Sequence, residues 1–268
     1  MDLKVKDSKR PLCDLPREEF VSLNVTSAQA KDGKNRLAFS PMTEVPGGFN
    51  PTNPNGERKD KYHCFENWWQ SLKVIEGVNL EKATQKWKKF KVPHRRYPGS
   101  KDKKKLYSLL NGRQYGYIDS RKEIYVPEYH NYIMSREISR EQLDYYRNQL
   151  KRGRNVVVYD FDGPRTPTGG TTCLEVSEAM LNGKINDPTF PFGHCFVVAA
   201  ELVGIPLSKY VSSGNSVNSV NSTTSSSSSS KSKSISKSNK SNKSKSKKSE
   251  IIDLVTPPKI IDLVTPPN

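Results

Sequence analysis

Almost every Trp, Tyr and Phe of the chain lies before Tyr210, and the stretch from Val211 to Ser249 is dominated by Ser, Lys and Asn. A segment without large apolar side chains has nothing to bury, so it cannot offset the entropy lost on ordering its backbone. A packed core must therefore come from the part before the boundary near Tyr210, and residues 211–249 are expected to form a disordered linker. Hydrophobic residues make up 33% of the 268, and their concentration in that first part is enough for a sizeable core.

Charge divides at the same place. The chain has 44 Lys+Arg and 28 Asp+Glu; nine Lys and three acidic residues follow Tyr210, which leaves 35 and 25 before it. A surplus of ten positive charges on a folded domain favours encounter with polyanions without specifying fold or chemistry. Cys13, Cys64, Cys173 and Cys195 show no CxxC spacing, and His63, His94, His130 and His194 form neither an HExxH nor a finger pattern. No structural zinc and no cofactor are expected. The opening MDLKVKDSKR lacks the apolar run of a secretory leader, and no stretch reaches membrane-spanning length. The chain reads as a non-secreted protein of the cytoplasm or nucleus, with reduced thiols.

Residues 1–36 are polar and broken and read as an N-terminal extension, and 41–61, crowded with Pro, Gly and Asn, as a long loop able to act as a lid. In YHCFENWWQSLKVIEG, Phe65, Trp68, Trp69 and Leu72 recur at helical spacing and predict a helix closed by Gly77. YGYID and EIYVP predict two short strands. SREQLDYYRNQLKRG predicts a helix with Ser139 and Gln142 as a capping box, Leu143, Tyr146 and Leu150 on one face, and Gly153 past its end. NVVVYDFDG predicts a buried strand ending on Asp160 and Asp162, LEVSEAMLNG a short helix closed by Gly183, and PFGHCFVVAAELVG a central apolar helix. Helices and strands without a regular βαβ rhythm give the α+β class, a single compact domain over 37–210 with helices around short strands.

Three constellations carry chemistry. In the first, Glu66, Gln70 and Lys73 fall on one polar stripe beside the aromatic one. Burial beside aromatics raises a carboxyl toward the range of a general acid or base, and a nearby Lys lowers it again. By spacing alone, the same stripe also fits an ordinary solvated helix face. The second, WKKFKVPHRRYPGSKDKKK, interleaves Trp87, Phe90 and Tyr97 with Lys88, Lys89, Lys91, Arg95, Arg96 and Lys103 to Lys105. Stacking rings amid phosphate-binding cations are what single-strand recognition uses, and a solvated basic loop with core aromatics has the same composition.

The segment AFSP (Ala38 to Pro41), a variable loop, and then YHCFENWWQSLKV resemble the opening of the YbiA/NADAR family of N-glycosidases. There an LSNF-like turn precedes a helix of the form Y-P-S-x-E-H-x-Y-Q-x-x-K. Glu66, Gln70 and Lys73 match that helix, and Phe39 and Ser40 match the turn. The likeness is strongest from Leu37 to Gly77, with a looser echo at GRNVVVYDFDG and PFGHCFVVAAELVG. Two departures stand out. DFDGPRTPTGG replaces the family's Trp-Gly after its acidic loop, and His194 stands where its last motif has Asn. YVPEYHNYI and PFGHCFVVAA also resemble motifs in proteins of unknown function from large DNA viruses, which would place the chain in a host cell.

The first resemblance implies cleavage of an N-glycosidic bond between ribose and a base or amine, on a riboflavin intermediate or on ADP-ribosylated nucleic acid. A fixed carboxylate stabilises the oxocarbenium-like state while it or a second one activates water. Glu66 is the implied first carboxylate, and Asp162 or Asp160 the second. His194 is implied to contact substrate or shuttle a proton. Lys73, Arg113 and Arg165 are implied phosphate ligands, and Phe39, Ser40, Trp69 and Gln70 substrate contacts. Asp160 and Asp162 also fit plain turn chemistry at a strand end.

The third constellation is the tail, 250–268. Ile251, Ile252, Asp253, Leu254 and Val255 recur as Ile260, Ile261, Asp262, Leu263 and Val264. An aliphatic run around one acid, on a flexible leash, suits strand addition to a partner's sheet edge, and two copies give avidity. The pattern resembles SUMO-interacting motifs, which implies a SUMO-like partner. Simple duplication without selection for binding gives the same repeat.

Overall fold

The run NVVVYD is the spine of the fold, with Val156, Val157 and Val158 wholly buried. The computed structural model describes residues 3–7, 20–99, 102–167 and 172–207. All belong to the first of the chain's two compact units, Met1–Val217. The linker 211–249 and the tandem repeats lie outside the described residues, as does Cys13.

The first half runs β1 (Leu3–Asp7), β2 (Phe20–Asn24), α1 (Lys34–Phe39), β3 (Glu44–Phe49), β4 (Tyr62–Cys64), α2 (Phe65–Ser71), β5 (Lys73–Ile75), α3 (Leu80–Lys89), β6 (Lys105–Leu110) and β7 (Arg113–Tyr115). A helical rod follows, made of α4 (Tyr117–Ser120), a π-turn (Arg121–Tyr125), α5 (Val126–Tyr129) and a second π-turn (His130–Met134). The chain continues through α6 (Glu137–Lys151), β8 (Asn155–Asp160), β9 (Cys173–Glu175), α7 (Glu178–Asn186) and α8 (His194–Val203). This is the α+β class expected from the sequence.

The main sheet has the order β2-β8-β1-β9. β8 lies parallel to β2 and β1, with Phe20 opposite Asn155 and Leu3 opposite Val156, and β1 lies antiparallel to β9. α6 and α8 pack against β8. α8 is buried on every side from His194 to Ala200, as an apolar helix at the centre of a domain must be. β3 and β4 form a two-stranded sheet, and β5, β6 and β7 an antiparallel meander. Asn111 and Gly112, at φ 51° and 78°, turn β6 into β7, since a two-residue hairpin turn needs this left-handed pair.

Several expectations are corrected. Residues 1–36 are not an extension outside the domain, because β1 is an inner strand of the main sheet and β2 its edge. The expected lid at 41–61 contains β3, which pairs with β4. The first helix stops at Ser71 instead of Gly77. Val74 and Ile75 suit a strand better than a helix, and Lys73 to Ile75 pair with β6.

The two strands expected in YGYID and EIYVP are instead the rod. Its buried Arg121, Tyr125, Tyr129 and Ile133 recur every fourth residue. In a pure α-helix that spacing drifts about 40° per step. The two π-turns hold more residues per turn and keep the stripe on one face.

Two capping assignments also change. α6 begins at Glu137, and Ser139 is buried inside it, with its one hydroxyl proton shared between the carbonyls of Ala38 and Ile133, each 2.6 Å away. Gly183 lies within α7, whose N-terminal cap is the Ser177 hydroxyl accepting from the Met180 amide.

Candidate functional site

α2 is tied to the turn after α1 by its second residue, because the Glu66 amide donates to the Pro41 carbonyl at 2.9 Å. The helix sends Phe65, Asn67, Trp68 and Ser71 into the interior. Glu66, Trp69 and Gln70 are left half-buried, facing a cleft of two adjoining chambers. The first, about 270 Å³, is lined among others by Ser27, Arg95, Arg96, Phe161 and His194. The second, about 190 Å³, is lined among others by Trp69, Lys73, Lys105, Tyr117 and Arg121. Glu66, Gln70, Tyr125 and Asp162 belong to both and mark their junction.

At the junction Gln70 Nε2 donates to Glu66 Oε1 at 2.7 Å, which fixes the carboxyl's orientation. Burial raises the Glu66 carboxyl above its ordinary value, an effect opposed by Lys73, the Gln70 bond and His194 and reinforced by Asp162. Asp162 sits at the rim, open to solvent yet crowded by protein on most sides. That crowding raises its carboxyl, Asp160 adds to the rise, and His194, Arg95 and Arg165 oppose it. Lys73 rests with its ammonium 5.4 Å from the Trp69 ring centre. Its burial lowers the ammonium's pKa, which Glu66 counters. Tyr125 is buried against Trp69, and burial with the nearby Glu66 holds its hydroxyl well above the ordinary value, so it stays protonated.

Asp160 and His194 stand behind the junction. Asp160 Oδ1 accepts from the Phe161 amide at 2.7 Å, and Oδ2 accepts from the Cys195 amide at 3.3 Å. His194 Nε2 donates to the Val25 carbonyl at 2.7 Å, and Nδ1 lies 3.2 Å from Asp160 Oδ2. With both ring nitrogens engaged, His194 lines the cleft but is not a free proton shuttle. It joins β8, α8 and the chain after β2 and so positions the loop that bears Asp162. Gly193 completes this packing. A Cβ there would lie 2.5 Å from Asp160 Oδ2 and 2.8 Å from Asp162 Cβ, closer than real side chains approach.

The remaining implied residues are distributed differently. Phe39 is a core residue whose carbonyl accepts from the Tyr129 hydroxyl. Ser40 is buried and bonds Ser27, which lines the first chamber. Both support the cleft without lining it. Arg113 pairs with Glu123 at 2.9 Å and lines neither chamber. Arg165 donates to the Phe161 carbonyl at 2.9 Å and bears on Asp162 through its charge.

Arg95, Arg96, Lys105 and Tyr125 were not among the implied site residues. The two arginines belong to the basic aromatic segment, which the sequence presents as a separate surface. Asn67 brings it to the cleft: its Nδ2 donates to the Val92 carbonyl at 2.9 Å, and its Oδ1 accepts from the His94 amide at 2.7 Å. The aromatics of that segment serve packing. Trp87 is 2% exposed and meets Phe90, His94 and Tyr97, so it is closed to a nucleic-acid base.

Among the described residues no group of three His, Cys, Asp or Glu side chains is arranged to hold a metal ion. Burial pushes the Cys64 thiol up to about 12, which leaves no thiolate at neutral pH. No helix of the described residues is long and apolar enough to cross a membrane.

Residues 17–198 match a family of unknown function, DUF6939, and with most of its length inside that match the chain belongs to this family. Every residue that lines the two chambers falls within the matched span. No curated protein and no solved structure matches the chain.

Proposed function

We propose that this protein is an N-glycosidase that hydrolyses the ribose–base or ribose–amine bond of a nucleotide-like substrate. The observation that carries the reading is the shared junction: Glu66 and Asp162, from elements far apart in the sequence, line the same two chambers, with cations and aromatic rings around them. Glu66, held by Gln70, acts as the ionised carboxylate that stabilises positive charge developing on the sugar. The C1′–N bond breaks with its electron pair leaving on nitrogen, and a water oxygen bonds to C1′. Asp162 takes one proton from that water and passes it to the departing nitrogen, so the step balances. Trp69 and Tyr125 supply flat surfaces for a base, and Lys73, Arg95 and Arg96 supply charge for phosphate.

The test is incubation of the full chain with ADP-ribosylated nucleic acid and with riboflavin-pathway intermediates, measuring the released base or amine, with Glu66→Gln as control. The reading expects release by the wild type alone. No release, or equal release by both, overturns it.

A second reading is a non-catalytic nucleic-acid-binding module. It is supported by a separate groove lined by Arg58, Lys59, Lys88, Lys89 and Lys91. Binding of single-stranded nucleic acid that weakens steeply with salt and survives Glu66→Gln, without any release, supports that reading in place of the first. For the tandem repeats the proposal is strand addition to a SUMO-like partner. Loss of binding when Ile252 and Ile261 are both replaced by Lys is the expected result.

A further inference from the structure

The cations of the cleft are divided by its carboxylates. Lys73, Lys105 and Arg121 line only the second chamber, Arg95 and Arg96 only the first, and Glu66 and Asp162 lie where the two meet. Arg121 is already engaged, for its guanidinium donates to the carbonyls of Lys184, Ile185, Asp187 and Phe190. It is held in place by the backbone and contributes charge to the second chamber.

Lys73 and Lys105 do have donors to spare. Each ammonium rests against an aromatic face, Lys73 at 5.4 Å from Trp69 and Lys105 at 5.5 Å from Tyr117, and among the described residues neither forms a salt bridge. Two half-buried ammoniums and a guanidinium around one small chamber repel one another, and a bound anion relieves that repulsion. In the first chamber, Arg95 lies over the Phe161 ring at 5.4 Å, and both Arg95 and Arg96 are exposed at the rim. Arg96 lies near enough for its charge to act on Lys73, so both cationic groups flank the same short span of substrate.

We infer that the two cationic ends are separate anion subsites, and that the substrate carries a phosphoryl group on each side of the bond that lies over Glu66 and Asp162. This rests on the reading of those two carboxylates as the reacting pair. It narrows the substrate class from any nucleoside-like compound to one flanked by phosphate at both ends. A substrate with one terminal phosphate leaves one subsite empty and is bound less tightly.

The experiment counts saturable sites for inorganic phosphate on the full chain by equilibrium dialysis. Three variants are compared with the wild type: Lys105→Met, Lys105→Arg, and the double replacement Arg95→Met with Arg96→Met. Circular dichroism checks that each is folded. Two sites are expected in the wild type, one in Lys105→Met and one in the double variant, with Lys105→Arg restoring the second. A single wild-type site, no saturable site, or a count that Lys105→Met leaves unchanged overturns the inference. No turnover enters this measurement, so failure of the subsites is distinguishable from failure of the glycosidase reading. Hydrolysis at wild-type KM by Lys105→Met overturns the subsite and leaves the glycosidase reading intact.

Discussion

Two side chains of the cleft respond to pH in opposite senses. Burial raises the Glu66 carboxyl above its ordinary 4.5, so the folded chain holds that proton more tightly than the unfolded one. Its contribution to stability is therefore full below the ordinary value and is lost as pH rises through the raised one. Glu66→Gln removes this cost. We expect a melting temperature at pH 7 equal to or above wild type, together with a loss of release of about 100-fold or more, the scale of a removed transition-state contact. Because Glu66 works ionised, the acid limb of kcat/KM should lie above the ordinary carboxylate range, and a pH–rate profile checks this. Lys105 behaves in the other sense. Burial first, then Lys73 and Arg121, push its ammonium down to about 8. It loses its proton as pH rises through that value, so KM for an anionic substrate should rise between about pH 7 and pH 9, and Lys105→Arg should flatten the rise.

At the scale of elements, α2 organises the cleft from two adjacent faces. Glu66 and Gln70 present the carboxyl, while Asn67, about 100° further round the helix, holds the chain at Val92 and His94 and so places Arg95 and Arg96. Asn67→Ala breaks both of those bonds and leaves the Val92 carbonyl and the His94 amide to water, at a cost of about 1 kcal/mol. The expected kinetic signature is a KM raised about tenfold, the value of roughly 1.4 kcal/mol of lost binding, with kcat nearly unchanged. A fall in kcat alone would instead mean that the arginines act on the reacting bond. The rod behind the cleft shows a related economy. Its first π-turn carries Arg121 and Tyr125, one capping the end of α7 and the other lining both chambers.

For the whole molecule, the sheet decides which ends of the chain matter. β1 lies between β8 and β9, so deleting residues 1–7 strips a partner from both strands. Thermal denaturation should show a fall of at least about 10 °C, since each kcal/mol shifts a domain of this size by about 2–4 °C. Cutting the chain after Tyr210 removes none of the described residues and should leave the melting temperature within about 2 °C. If the deletion of 1–7 is neutral, β1 adds nothing to the fold.

Features that depend on neighbours in the sequence are legible in the sequence itself. The break in composition near Tyr210, the face of α6 bearing Leu143, Tyr146 and Leu150, the valine-rich β8 and the apolar α8 all follow from periodicity or composition over a short window. So does the start of α2, with Glu66 and Gln70 one turn apart. Other features depended on partners distant in the chain. Lys105 to Leu110 drew Lys73 to Ile75 into a strand, and the packing of Arg121, Tyr125 and Tyr129 made a rod of segments whose alternation reads as strands. His194, implied by the resemblance to contact substrate or shuttle a proton, has both ring nitrogens engaged by the Val25 carbonyl and Asp160. The cleft itself is of this second kind. A carboxylate's neighbours within one helix are set by spacing, but only the closed chain brings Asp162 and Arg95 to Glu66, because contacts between segments 29 and 96 residues apart arise from packing and leave no local pattern.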